Sequence, residues 1–104
     1  PYTTLFRSEG AIVGYAFLWE TFEMAQLARI GVDPNLRKRG YGKELMMHLF
    51  DRAREVACEF MTLEVRASNE AALNLYKKMG FIQVNVSESY YPDGEDAIVM
   101  TLAL

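Results

Sequence analysis

The hydrophobic period changes abruptly in the middle of this chain, and that change constrains the fold more than any other feature. Met24–Val32 is rich in strand-forming residues and is closed by Asp33-Pro34-Asn35. From Tyr41 to about Ala57 the spacing becomes helical. Leu45, Met46, Leu49, Phe50, Ala53, Val56 and Ala57 fall on one stripe, with most charged residues off it. Between the two lies Arg37-Lys38-Arg39-Gly40-Tyr41-Gly42. A basic, glycine-containing turn that opens a helix presents backbone N–H groups, partial positive charge and full cationic charge to an anion. Gly40 and Gly42 let that anion approach the backbone closely.

The remaining elements follow from the same two periods. Ala11–Trp19 predicts a strand with two apolar faces, Val13, Tyr15, Phe17 and Trp19 on one and Ile12, Ala16 and Leu18 on the other. Two apolar faces predict cover on both sides. A short turn at Glu20-Thr21 predicts antiparallel pairing with Met24–Val32, where Gly31 marks a bulge or a close approach. Phe60–Val65 predicts a strand parallel to the one before the helix, which completes a βαβ unit. Ser68 or Asn69 caps a second helix with Glu70 in its first turn and Gly80 beyond its end. Phe81 to Tyr90 or Tyr91 predicts a strand, Pro92-Asp93-Gly94 a turn, and Ala97–Leu104 a final strand. The order is β-β-α-β-α-β-β, a mixed-sheet α/β domain.

The first residues stand apart. Pro1 to Ser8 resembles the in-frame translation of a sequencing-library adaptor, so residues 1–10 are expected to be a non-native leader and 11–104 a single domain. The competing reading is a strand, because Tyr-Thr-Thr-Leu-Phe has good β-propensity. The 104 residues carry a net charge of −3, which argues against a general nucleic-acid binder. The cations cluster at 37–43, which suits a small anion. One cysteine, Cys58, excludes an intramolecular disulfide and a multi-cysteine metal site. No apolar run approaches the ~20 residues that span a bilayer, and a cytoplasmic protein is the default expectation.

The glycine turn fits neither common nucleotide motif. A Rossmann fingerprint needs a third glycine where Leu45 stands, and a P-loop needs Ser or Thr where Glu44 follows Gly42-Lys43. What remains is Arg-x-x-Gly-x-Gly between a strand and a helix, which by itself is equally a solvated basic turn. Val32-Asp33-Pro34 precedes it; Leu63-Glu64-Val65-Arg66-Ala67-Ser68-Asn69 and Leu75-Tyr76-Lys77-Lys78-Met79-Gly80-Phe81 follow in order. Together these segments resemble the GNAT superfamily of acetyl-CoA-dependent N-acetyltransferases. Tyr90-Tyr91-Pro92-Asp93-Gly94-Glu95-Asp96-Ala97 narrows the resemblance to its protein N-terminal branch, of the bacterial ribosomal-protein-alanine type.

The resemblance implies a direct acetyl transfer from acetyl-CoA to a protein α-amine, with no metal. It implies that Arg37, Lys38, Arg39, Gly40, Tyr41, Gly42 and Lys43 wrap the pyrophosphate. It implies that Ile30, Gly31 and Val32 follow the pantetheine arm, and that Asn69 bonds the cofactor. Glu64 matches the family's general base and Tyr76 its general acid; the acceptor is a ribosomal protein N-terminus. It also implies a strand and two helices ahead of Ala11, which this chain is expected to lack. A non-catalytic CoA-binding fragment is the rival reading, and an acetyltransferase for small amines or internal lysines another.

The chemistry is consistent with those roles. An α-amine, with a reference pKa of about 7.7–8.0, must lose a proton before it attacks a thioester. A carboxylate beside apolar Leu63 and Val65 suits that task. A strand N–H suits the developing oxyanion, and a phenol can protonate the departing thiolate. Without the family, Glu64 is more simply an ion-pair partner of Arg66, and Tyr76 a core aromatic. His48 reads as a partly exposed helix residue and Cys58 as packing. Tyr90 and Tyr91 are expected to wall a peptide groove, with Glu88, Glu95 and Asp96 favouring a basic peptide.

Overall fold

The computed structural model describes residues 2–8, 10–32 and 40–104. Its elements are β1 (Tyr2–Ser8), β2 (Ala11–Glu20), β3 (Met24–Val32), α1 (Tyr41–Glu55), β4 (Phe60–Arg66), α2 (Glu70–Lys78), β5 (Ile82–Ser87) and β6 (Ala97–Ala103). One six-stranded sheet runs in the order β1-β2-β3-β4-β6-β5. β3 and β4 pair in parallel, as the βαβ reading requires, and every other neighbouring pair is antiparallel. The mixed α/β architecture is the expected one, with one strand added. Residues 2–8, left out of the sequence-based order, pair with β2 from Tyr2–Leu18 to Ser8–Ala11, with a register shift between Phe6 and Arg7.

Helix ends follow from local chemistry. Gly40 caps α1 at φ 80°, a left-handed conformation that costs glycine little. Asn69 caps α2, its Oδ1 accepting the Ala72 N–H at 3.1 Å. Glu70 sits in the first turn of α2 and Lys77 and Lys78 in the last, each favourable to the helix dipole. α1 stops at Glu55 rather than Ala57, because Ala57 takes φ 64°. β5 stops at Ser87, short of the two tyrosines. Ser89 there has φ 49° and gives its N–H to Asp96 Oδ1 at 2.9 Å instead of to a ladder.

Both helices pack on one face of the sheet. Phe50 of α1 and Tyr76 of α2 each meet Phe81, with centroids 6.0 and 5.7 Å apart. Leu45, Met46 and Leu49 of α1 share one core with Leu18, Met61 and Met100 of the sheet. Arg52 fastens α1 to β2 through a two-pronged pair with Glu20 at 2.9 and 3.0 Å, and its guanidinium stacks on Tyr2. The expectation of cover on both faces is therefore corrected. Ala16 and Leu18 are fully buried, but Tyr15 is 42% exposed and Trp19 49%. These side chains point away from the helices, because adjacent strand residues face opposite ways.

Neighbours on β2 should therefore respond unequally to truncation. Leu18→Ala should lose about 2–5 kcal/mol of unfolding free energy. Trp19→Ala, although it removes more atoms, should lose clearly less. Denaturant melts of the two variants check this, and equal losses would contradict a one-sided core.

Candidate active site

The sheet is split at its centre. β3 and β4 pair only from Met24–Phe60 to Leu27–Leu63, although β3 continues to Val32 and β4 to Arg66. The cause lies on β3. Arg29 pairs with Phe17 and Leu27 with Leu18, so Ala28 is an extra residue without a partner. A bulge bends its strand and increases the local twist. Here it turns β3 toward β2 and away from β4. Alternate N–H and C=O groups of residues 28–32, and those of 64–66 that face β3, line the resulting wedge without a ladder partner among the described residues. Of the two alternatives read at Gly31, a bulge or a close approach, the structure has the close approach: the Tyr15 ring lies over it, and a Cβ there would collide with the ring, while the bulge falls at Ala28.

The wedge opens toward the carboxyl ends of two parallel strands. α1 follows β3 and α2 follows β4, so topology puts both helix N-termini at that end. Helical bonding in α1 starts with Glu44 N–H to Gly40 O at 3.0 Å. The N–H groups of Gly42 and Lys43 precede it and are not used by the helix. Lys43 is exposed, and Gly42 packs near Leu75 of α2. Arg37, Lys38 and Arg39 lie outside the described residues. Ile30 is half-buried against the core. For Val32 the backbone places the residue at the end of β3.

Glu64 stands beside the wedge on the open face. It alternates with buried Leu63 and Val65, which point toward the helices. Its Oε1 accepts a hydrogen bond from Gln26 Nε2 at 3.3 Å. Its Oε2 is buried with no hydrogen-bond partner. Interaction with this carboxylate raises the Tyr90 phenol above its ordinary pKa. The expected ion pair with Arg66 does not form. Tyr76 lies on the other face of the sheet, in the core, where burial raises its phenol above the ordinary value. It therefore stays protonated near neutral pH. Only the wedge interrupts the β3–β4 ladder that separates the two residues.

Arg66 organises the loop that carries the tyrosines. It stacks on Tyr91 at 4.1 Å and pairs with Asp93 at 2.8 Å and Glu95 at 3.0 Å. Glu95 Oε2 also accepts the Ser68 N–H at 2.8 Å. Tyr90 and Tyr91 meet edge to face, 5.0 Å between centroids. Of the acids expected to favour a basic peptide, Glu95 accepts from Arg66 and Ser68, Asp96 accepts from Ser89, and Glu88 is exposed. Sequence reasoning missed Gln26 and this use of Arg66. An acidic turn just after two aromatics was the available signal for a cation.

His48 is exposed and meets the Tyr2 hydroxyl at 3.1 Å, and Cys58 is buried, with burial pushing its thiol up. Among the described residues no group of three or more His, Cys, Asp or Glu could hold a metal, and no helix is long and apolar enough to cross a membrane.

A split parallel pair with helix N-termini at its open end is a fold-level signature, and the comparisons agree with it. The acetyltransferase (GNAT) family model matches residues 1–81, and the chain belongs to that family. Among its relatives is the [ribosomal protein bS18]-alanine N-acetyltransferase of Escherichia coli K12, 39% identical over 98 residues. That match covers 91% of this chain and 66% of the relative, so the chain spans just under two thirds of that protein's length. The crystal structure of the Escherichia coli ribosomal-protein-S18-alanine N-acetyltransferase superposes with a TM-score of 0.91 at 36% identity, covering 98% of this chain and 68% of that one. A GNAT family acetyltransferase from Elizabethkingia anophelis with acetyl-CoA bound shares the fold, at TM-score 0.93 and 21% identity over 98% of this chain and 75% of its own.

The loop should be acid-sensitive through Arg66. The Glu95 backbone N–H and Arg66 hold Asp93 below its ordinary pKa; Ser68 and Arg66 do the same for Glu95. Groups lowered in the folded state contribute fully above their unfolded values of about 4, and lose that contribution as pH falls through the lower folded values. The amide NMR signals of Ser68 and Glu95, which donate to Glu95 and Asp93, should hold from pH 7 to 5 and broaden below about 4. Arg66→Ala should broaden them already at neutral pH, and unaltered signals in that variant would remove Arg66 as the organiser.

Proposed function

We propose that residues 11–104 act as an N-acetyltransferase domain that transfers the acetyl group of acetyl-CoA to the α-amine of a protein N-terminus. The observation that carries this reading is the wedge beside Glu64, whose buried Oε2 has no partner within hydrogen-bond distance. Family membership and the relative's name support a protein acceptor, and the N-terminal alanine of a small-subunit ribosomal protein is the substrate proposed.

Acetyl-CoA supplies an activated thioester carbonyl. The α1 N-terminus, with Gly40, Tyr41, Gly42 and Lys43, fits its pyrophosphate: helix-end N–H groups, a dipole and a cation meet there. Arg37, Lys38 and Arg39 add charge in the same stretch of sequence. Ile30, Gly31 and Val32 flank the pantetheine arm along the wedge. A wedge-facing N–H of β3 donates to the thioester oxygen and stabilises the charge that develops on it. Asn69 keeps its Nδ2 for the cofactor while Oδ1 caps α2.

Glu64 takes a proton from the incoming ammonium, directly or through one water, because the amine is mostly protonated at neutral pH. The free amine attacks the carbonyl carbon, its nitrogen loses a second proton to solvent through water as the C–S bond breaks, and Tyr76 gives its proton to the leaving sulfur and is reprotonated from solvent. Since Glu64 and Tyr76 serve opposite faces of the sheet, the thioester must reach the wedge between them. Tyr90 and Tyr91 wall the acceptor side next to Glu64.

Glu64→Gln and Tyr76→Phe should each lower kcat by about 10²–10⁴ for a peptide with a free N-terminal alanine. Calorimetric affinity for acetyl-CoA should stay unchanged. Unaltered rates would remove either residue from the mechanism. Binding without turnover in the parent chain would support the CoA-binding fragment, and turnover confined to small amines or lysine side chains would overturn the N-terminal acceptor.

A further inference from the structure

We infer that Gln26 is a positioning residue for Glu64, one that leaves Oε2 as the atom that receives the acceptor's proton. This rests on the proposed general-base role of Glu64. Gln26 stands opposite Thr62, one residue before the β3–β4 ladder ends, on the open face that Glu64 also occupies. Its amide reaches across the parallel pair to Oε1 at 3.3 Å, and both side chains are partly buried.

Three consequences follow from that contact. An ionised carboxylate only accepts hydrogen bonds, so Gln26 must present its NH2 group to it. Holding one oxygen fixes the plane of a group whose terminal torsion is otherwise broad. The other oxygen, Oε2, is then buried at a fixed place with no partner within hydrogen-bond distance, beside the Tyr90 phenol that senses this carboxylate, at the expense of its desolvation. Such a cost is sustained where the atom has a transient partner. The ammonium of the acceptor, or a water bound to it, is the donor of the right chemistry.

The donor's neutrality matters as well. A lysine or arginine at position 26 would favour the charged carboxylate strongly and weaken it as a base. Among the described residues the cation nearest in sequence, Arg66, is committed to Asp93 and Glu95. A neutral amide orients Glu64 without adding a charge, and the titratable groups that sense it from the facing loop, Tyr90 and Tyr91, are themselves uncharged at neutral pH.

The test is the pH dependence of kcat/KM for acetyl transfer to one alanine-terminated peptide, measured in the parent chain and in Gln26→Leu, Gln26→Glu and Glu64→Gln. The peptide amine is common to all, so differences in the acid limb report the base. Gln26→Leu should lower kcat by about 10- to 100-fold, as expected for a misplaced group, with the acetyl-CoA KM unchanged. Gln26→Glu should move the acid limb to higher pH by placing a like charge beside the carboxylate. A limb left in place by Gln26→Glu, or a fall in rate in Gln26→Leu matched by a rise in the acetyl-CoA KM, would make Gln26 merely structural and overturn the inference, with Glu64 still the base if Glu64→Gln is inactive. Full activity in Glu64→Gln, or no turnover in the parent chain, would overturn the general-base reading and this inference with it.

Discussion

The site depends on the point where β3 stops pairing with β4. A parallel pair held along its whole length would hydrogen-bond all its facing amides and leave none for a ligand. Ala28, inserted opposite the Phe17–Leu18 step, turns β3 away after Leu27 and frees the groups that follow. The separation persists because each strand is held on its other side. β3 stays paired to β2 as far as Val32, and β4 to β6 along Phe60–Arg66. Unpaired backbone groups are costly when buried and useful when a ligand supplies the partner.

Two asymmetries are built around that split. Both helices cover one face, so Tyr76 rises from the core while Glu64 stands on the face opposite. Below the wedge the environment is apolar and keeps a phenol protonated; beside it a carboxylate is tied by one neutral amide. The loop after β5 supplies the outer wall. Arg66 draws Tyr91, Asp93 and Glu95 onto β4, while Glu95 ties the start of α2 to the same loop. One cation thereby links the loop, the strand that bears Glu64 and the helix that bears Tyr76.

Much of the architecture was legible from the period of apolar residues. The boundaries of β3 and the start of α1 follow directly from the change at 24–57, and the Asn69 cap and the Gly80 stop follow from residue type. What was not legible has a common physical origin. Whether an apolar strand face is covered depends on where distant helices land, so Tyr15 and Trp19 read as core. Bulge position depends on two strands' register, so the sequence offers Gly31 as a bulge or a close approach and does not mark Ala28. The sequence extends β5 to Tyr90 or Tyr91 because β-propensity does not register the acceptor that Asp96 offers to Ser89. Gln26 was invisible for the same reason: its meaning lies in a neighbour 38 residues away. The family resemblance supplied Glu64 and Tyr76, and the fold adds that they address the split from opposite sides.

The most direct test of this account is amide chemical-shift mapping of the chain as CoA is added. Signals of residues 28–32, 40–43 and 64–66 should move together and saturably, with those of β5 and the outer edge of β1 unchanged. Shifts confined to the exposed aromatic face around Tyr15 and Trp19, with the wedge silent, would contradict the account.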